Sequence, residues 1–169
     1  MKTLLVLRHA KASQEAPSNM DFDRPLKRRG RAQALAIGGM VRDRHLAFDA
    51  VVASPAVRVV ETLSGIMEGA GVRFEPTYDR RLYNASPETV LEIVREAGDT
   101  VERLLIVGHN PGLQHLLLHV ADEDRDGLRE AIAASYPTAA LAELQLSVDR
   151  WRDIDRARGQ IVRLVRPED

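Results

Sequence analysis

Leu4-Leu5-Val6-Leu7-Arg8-His9 decides how the rest of the chain is read. A short, continuous apolar run without polar alternation describes a strand buried on both faces, of the kind found in sheets covered by helices. The run then stops on two side chains able to carry positive charge, which a buried strand does not need for its own packing. In open α/β sheets ligands bind in the crevice outside the carboxyl ends of the strands. Arg8-His9 therefore marks a candidate anion site.

Two further junctions repeat the arrangement. Phe48 to Ala53 is an apolar run followed by Ser54-Pro55-Ala56-Val57-Arg58, and Arg103 to Val107 is followed by Gly108-His109-Asn110-Pro111-Gly112. Each reads as a buried strand ending beside a residue suited to handling phosphate. Alone, Ser54-Pro55 is a helix start, with Ser as cap and Pro in the first turn, and Gly108 to Gly112 is ordinary turn chemistry. Their joint occurrence at strand ends carries the functional reading.

The elements between them alternate. Ala32, Leu35, Ala36, Gly39 and Met40 follow helical spacing within a helix from Arg31 to Asp43, and their small side chains suit close packing. A second helix is expected from Pro55 to about Gly69, a short strand over Val72 to Glu75, and a helix from Pro87 to Ala97 capped by Ser86. Another helix follows Asn110-Pro111-Gly112, and a short one spans Leu128 to Ala134. Ala139 to Val148 and Gln160 to Val165 read as strands that complete the sheet, joined by an exposed, charged connection over residues 149–159. The class is α/β: a three-layer α/β/α sandwich around a mostly parallel sheet, with the last strands open to an antiparallel setting. At 169 residues a single domain over 1–169 is expected.

Composition narrows the function. Twenty-four Lys+Arg against 25 Asp+Glu give a formal charge of -1, so no global field draws the chain to nucleic acid or an anionic membrane, and any basic site is local. The absence of cysteine removes disulfides, thiolate metal sites and a cysteine-based phosphatase route. Arg8, His9 and Lys11 interrupt the first apolar stretch too early for a signal peptide. A cytoplasmic, monomeric protein without a membrane span is the expectation.

Transfer of a phosphoryl group is catalysed chiefly by positioning and by stabilising charge on its oxygens. Arginine suits this because its planar fork binds two oxygens and stays charged. Arg8 and Arg58 are best placed, Arg58 in the opening turns of a helix. His9 is a candidate nucleophile if one ring nitrogen is held as a donor, with His109 as counterpart. His115 and His119 share a helix face at i, i+4, but Leu116-Leu117-Leu118 between them offers no acidic group, so surface or packing roles are expected rather than a metal. His45 reads as a helix C-terminal residue, Arg28-Arg29-Gly30-Arg31 as a solvated turn with a docking surface for an acidic partner as the alternative, and Asp122-Glu123-Asp124 as a solvated face.

These residues resemble the histidine phosphatase superfamily, branch 1, and within it the SixA-type phosphohistidine phosphatases. The matching stretches are Leu7-Arg8-His9-Ala10-Lys11-Ala12, Asp23-Arg24-Pro25-Leu26, Gly30 to Ala34, Ser54-Pro55 through Arg58 to Glu61-Thr62, Leu82-Tyr83, and Val107 to Pro111. They end at Pro111, leaving the last third of the chain without a motif. The resemblance implies a phosphoglycerate mutase-like fold, His9 as the residue that takes the phosphoryl group, and Arg8, Arg58 and His109 as the phosphate pocket. Arg24 joins the substrate-binding candidates. The resemblance implies neither metal nor cofactor, with water hydrolysing phospho-His9.

Two departures shape the expected substrate. Mutases and acid phosphatases of the superfamily usually carry an acidic proton donor in a longer insertion, whereas Tyr78 to Glu88 is brief here. Glu88 is the candidate donor, with Asp79, Asp21 and Asp23 as others. An alkoxide leaving group needs protonation, worth about 10² to 10⁴ in rate, whereas imidazole leaving from phosphohistidine demands far less. Lys27 replaces the Thr common in mutase-like sequences and, with Arg24 and Arg28, makes the rim basic, which suits a phosphoprotein. The leading reading is a phosphohistidine phosphatase. A phosphomonoesterase for small metabolites and a non-catalytic phosphate-binding module are the alternatives.

Overall fold

Leu4 and Val6 enter one hydrophobic core while Leu5 and Leu7 enter another, so the first strand is a partition between two cores. The computed structural model describes residues 1–122, 126–155 and 159–167. Strand β1 (Lys2–Arg8) pairs in parallel with β4 (Arg103–Gly108) and antiparallel with β5 (Leu141–Leu146). With β2 (Ala50–Ala53), β3 (Thr77–Tyr78) and β6 (Gly159–Val165), the described strands form a sheet in the order β3-β2-β4-β1-β5-β6. β4 repeats the division, with Leu104 and Ile106 on one side and Leu105 and Val107 on the other. Fully apolar runs are what a sheet covered on both faces requires.

Helices α1 (Arg28–Asp43) and α2 (Val57–Ala70) cover one face. Helices α3 (Pro87–Arg95), α4 (Gly112–Val120) and α5 (Leu128–Ala134) cover the other. This is the expected three-layer α/β/α sandwich, parallel except for β5 against its two neighbours. Register then makes the site. Arg8 lies opposite Gly108 and Ala53 opposite Val107, so the carboxyl ends of β1, β4 and β2 are level. The His9 N–H donates to the Gly108 carbonyl at 3.1 Å and the Ser54 N–H to the Val107 carbonyl at 3.0 Å, carrying the alignment one residue past each strand.

Several expectations need correction. The buried stripe of α1 is Gly30, Gln33, Ala34, Ile37, Gly38 and Val41, whereas Ala32, Leu35 and Ala36 face solvent. Both series have helical spacing, and α2 selects the first because it approaches the α1 backbone directly. A Cβ on Gly38 would lie 2.4 Å from the Ile66 carbonyl oxygen, and one on Gly69 would lie 2.2 Å from that of Leu35. Arg28 to Arg31 is the first turn of α1 rather than a loop turn, with the three arginines exposed as expected and Gly30 buried. Its Gly30 is obligatory because a Cβ would sit 2.0 Å from the Lys11 carbonyl oxygen.

Helix α2 starts at Val57, and Ser54 does not cap it. Val72 to Glu75 is unpaired, and the edge strand is instead Thr77–Tyr78. The connection after β5 is not wholly exposed: Trp151 is fully buried and its indole N–H donates to the Val101 carbonyl at 2.7 Å, pinning the charged segment beneath α3. Ser86 caps α3 as expected, accepting from the Thr89 N–H. His45 follows the α1 cap in a left-handed conformation, φ 52°. Glu123 and Asp124 lie outside the described residues.

Adjacent glycines of α1 should respond oppositely to the same change. Gly38→Ala is expected to lose about 1–3 kcal/mol of stability, because its Cβ meets backbone that cannot yield. Gly39→Ala, whose Cβ would approach only the tip of Arg42 at 3.9 Å, is expected to gain about 0.5–1 kcal/mol. Urea unfolding of both variants checks the sign of each.

Candidate active site

His9 follows β1 and is 7% exposed. Its Nδ1 lies 2.7 Å from the Ala10 carbonyl oxygen, which can only accept, so Nδ1 carries the proton and Nε2 the lone pair. Ala10 is held in turn by Thr62, whose Oγ1 accepts from the Ala10 N–H at 3.0 Å and donates to the Arg58 carbonyl at 2.6 Å. Glu61 accepts from the Leu26 N–H at 2.8 Å. Consecutive residues of α2 thus tie down the loops that leave β1 and enter α1.

The structure brings His9, Arg8, Arg58 and His109 together. The His9 and His109 rings have centroids 5.3 Å apart. Arg58 is 3% exposed, and its Nη2 donates to His109 Nδ1 at 3.2 Å. Because arginine only donates, His109 Nδ1 is the acceptor. Its Nε2–H therefore donates to the Ser54 hydroxyl at 2.8 Å. Ser54 is fully buried, and its hydroxyl also accepts from the Ala56 N–H at 3.3 Å without capping α2. Arg8 is oriented by the Tyr136 carbonyl, which accepts from Arg8 Nη1 and Asn110 Nδ2, both at 3.0 Å.

Both histidines are neutral at neutral pH. Burial pushes the His9 imidazole down to about 4, with the charges of Arg58, Arg8 and Arg24 adding to it against the hydrogen bond to Ala10. Burial, then the neighbouring His9 and Arg58, pushes His109 down to about 3. Burial also lowers the pKa of Arg8. Among the described residues, the buried side-chain N–H groups without a partner are the Nε of Arg8, Arg24 and Arg58. Buried donors are nearly always satisfied, and the three left without a partner belong to the arginines whose charges act on His9.

Arg24 reaches the site through Asp21, one of the carboxylates named above as a donor candidate. Asp21 Oδ1 pairs with Arg24 Nη1 at 3.3 Å and Oδ2 with Arg58 Nη2 at 3.2 Å. Its backbone carbonyl accepts from Arg58 Nη1 at 2.9 Å, and the Tyr83 hydroxyl donates to Oδ2. Of the carboxylates considered as proton donors, this is the one whose hydrogen bonds reach the pocket. Asp23 accepts from Ser18, Asp79 is bound to Arg81, and Glu88 lies in the first turn of α3 without a hydrogen bond to the pocket among the described residues. Tyr83 packs edge-on against His109 at 5.5 Å. Tyr136 and the Ser54–His109 bond carried no sequence signal. His115 and His119 are exposed on α4, and no group of three metal-ligating side chains occurs among the described residues.

Arginines gathered around a neutral histidine held in one tautomer make an anion-binding arrangement at the carboxyl ends of a doubly covered α/β sheet. Comparison with known sequences agrees: the profile of the histidine phosphatase superfamily (branch 1) matches residues 4–86. A Mycobacterium tuberculosis relative, uncharacterized protein MT1313, is 36% identical over 153 residues, covering 88% of this chain and 92% of that one. The chain belongs to the histidine phosphatase superfamily, branch 1. It is similar to an Agrobacterium tumefaciens structure provisionally named phosphohistidine phosphatase SixA, at 29% identity over 97% of both chains with a TM-score of 0.78. It shares its fold with the protein histidine phosphatase SixA in a tungstate complex, at 17% identity over 98% and 97% of the chains and a TM-score of 0.78.

The neutral state has two consequences. An unfolded imidazole takes up a proton below about pH 6.5, whereas folded His9 and His109 resist until about 4 and about 3. Between these values the unfolded state binds more protons, so their contribution to stability is present above about 6.5 and is lost as pH falls through that window. In an NMR titration the ring signals of His9 and His109 are expected to hold their neutral positions from pH 7.5 to about 5.5. Protonation of either near pH 6.5 contradicts the assignment.

Proposed function

We propose that this chain is a phosphohydrolase that works through phospho-His9 and acts on phosphohistidine carried by other proteins. The observation that carries the reading is His9 Nε2, its lone pair set by the Ala10 carbonyl, among three arginines with unpartnered buried N–H groups. Nε2 attacks phosphorus and the substrate's P–N bond breaks with its electron pair on the departing imidazole, while Arg8, Arg58 and Arg24 gather the oxygens and His109 holds the Arg58 fork. The ring then carries a proton on Nδ1 and phosphorus on Nε2. That cationic ring leaves readily when water attacks, giving inorganic phosphate and neutral His9. These cationic side chains supply the charge stabilisation themselves, so the route calls on no metal or cofactor.

Two features favour a protein substrate. A departing imidazole needs no strong acid, and the carboxyl that reaches the pocket, that of Asp21, is held ionised by Tyr83, Arg58 and Arg24. The rim is also basic: Lys27 and Arg28 are exposed, and α1 opens on Arg28, Arg29 and Arg31 against its own dipole. Local choices that oppose stability are expected where function requires them. A phosphorylated protein with acidic surroundings fits this rim, and a cytoplasmic monomer fits this role.

A protein phosphorylated on histidine by phosphoramidate provides the test. Wild-type enzyme without added metal is expected to release its phosphate, and His9→Ala to lose at least about 10³ in rate, the scale of losing a nucleophile. Near-normal turnover by His9→Ala contradicts the proposal. Faster hydrolysis of glucose 6-phosphate, sharply reduced in Glu88→Gln, would support the metabolite phosphatase with Glu88 as donor. Tight phosphate binding with no turnover of any substrate would support a binding module.

A further inference from the structure

We infer that Asp21 is the base that removes the proton of the water attacking phospho-His9. The inference rests on the phosphohydrolase reading and concerns its second half. Asp21 is linked to the reacting groups: Oδ2 lies 3.2 Å from Arg58 Nη2, which lies 3.2 Å from His109 Nδ1, whose ring stands 5.3 Å from that of His9. Its side chain is 47% exposed, so it borders both the buried pocket and the solvent that delivers water.

The loop that carries Asp21 is closed at its base. The Ser13 N–H donates to the Pro25 carbonyl at 2.8 Å and the Lys27 N–H to the Lys11 carbonyl at 2.9 Å, and Ala12 bridges to Leu26. Tyr83, packed against both Phe22 and His109, donates to the carboxylate. The groups facing Asp21 are therefore Arg58, Arg24 and Tyr83. The hydrogen bond from Tyr83 and the charges of Arg58 and Arg24 hold its carboxyl below the usual range, so it enters the reaction ionised.

A base held by arginines is weak until the arginines have another anion to serve. A phosphoryl group on His9 draws on Arg58 and Arg24, and its negative charge stands beside the carboxylate. Both changes raise the proton affinity of Asp21 when phospho-His9 has formed. The water oxygen then bonds to phosphorus, its proton passes to an Asp21 oxygen, and the P–Nε2 bond breaks with its electron pair returning to Nε2. Asp21 releases the proton to solvent. The same carboxylate has no duty in the first half, where the departing imidazole needs no acid.

Rapid-quench measurement with phosphoramidate as donor separates the two halves. Asp21→Asn, which keeps an oxygen to accept from Arg58 and Arg24, is expected to slow the breakdown of phospho-His9 about 10²-fold, the scale of general base catalysis, and its formation by far less. Asp21→Ala should behave alike, and formate should restore its breakdown by supplying a carboxylate. Breakdown at the wild-type rate in Asp21→Asn overturns the inference, as does slow breakdown in Asp21→Ala that formate leaves unchanged, since Asp21 would then only position Arg58. Failure of wild type to form any phospho-His9 overturns the phosphohydrolase reading itself, and this inference with it.

Discussion

His9 donates Nδ1–H to the Ala10 carbonyl at 2.7 Å, and the chemistry of the site follows from that bond. A free imidazole exchanges between tautomers, and in one of them the nitrogen facing a phosphoryl group would carry a proton in place of its lone pair. Here the choice is made by backbone, and the backbone is fixed by three elements at once. β1 holds the residue before His9 between β4 and β5, the Gly108 carbonyl holds the His9 N–H, and Thr62 on α2 holds Ala10. Preorganisation of this kind removes the cost of ordering the nucleophile during reaction.

The surrounding electrostatics serve the same end. Arginines buried beside histidines would be expensive if the histidines were also cationic, and burial keeps both rings neutral. Positive charge is thereby concentrated on guanidinium groups, which cannot lose it and which meet phosphate in a planar fork. Asp21 offsets part of that charge at the pocket mouth while leaving the Nε donors of Arg8, Arg24 and Arg58 unused. The close seam of α1 and α2, built on Gly38, Gly65 and Gly69, keeps Arg58 and Thr62 in register with the sheet.

What the sequence makes legible is what local chemistry determines. Leu4 to Leu7 and Arg103 to Val107 announce buried strands because burial on both faces leaves no polar position. Ser86-Pro87 announces a helix because cap and first turn are adjacent in the chain. Arg8, His9, Arg58 and His109 stand out because each follows such a strand. The α1 stripe was ambiguous because two interleaved series share one period, and only the partner helix distinguishes them. Ser54 misleads because the same hydroxyl can cap a helix or bind a distant histidine. Tyr136 and Asp21 act through a carbonyl 128 residues from Arg8 and a carboxylate 37 residues from Arg58, pairings that no local pattern encodes.

If the Ala10 carbonyl sets the nucleophile, the position of phosphorus on the His9 ring records it. Phosphorus NMR of wild-type enzyme trapped with phosphoramidate reads that position directly. The expected product carries phosphorus on His9 Nε2. Phosphorus on Nδ1, or on any other residue, would contradict the role assigned to the bond between His9 and Ala10.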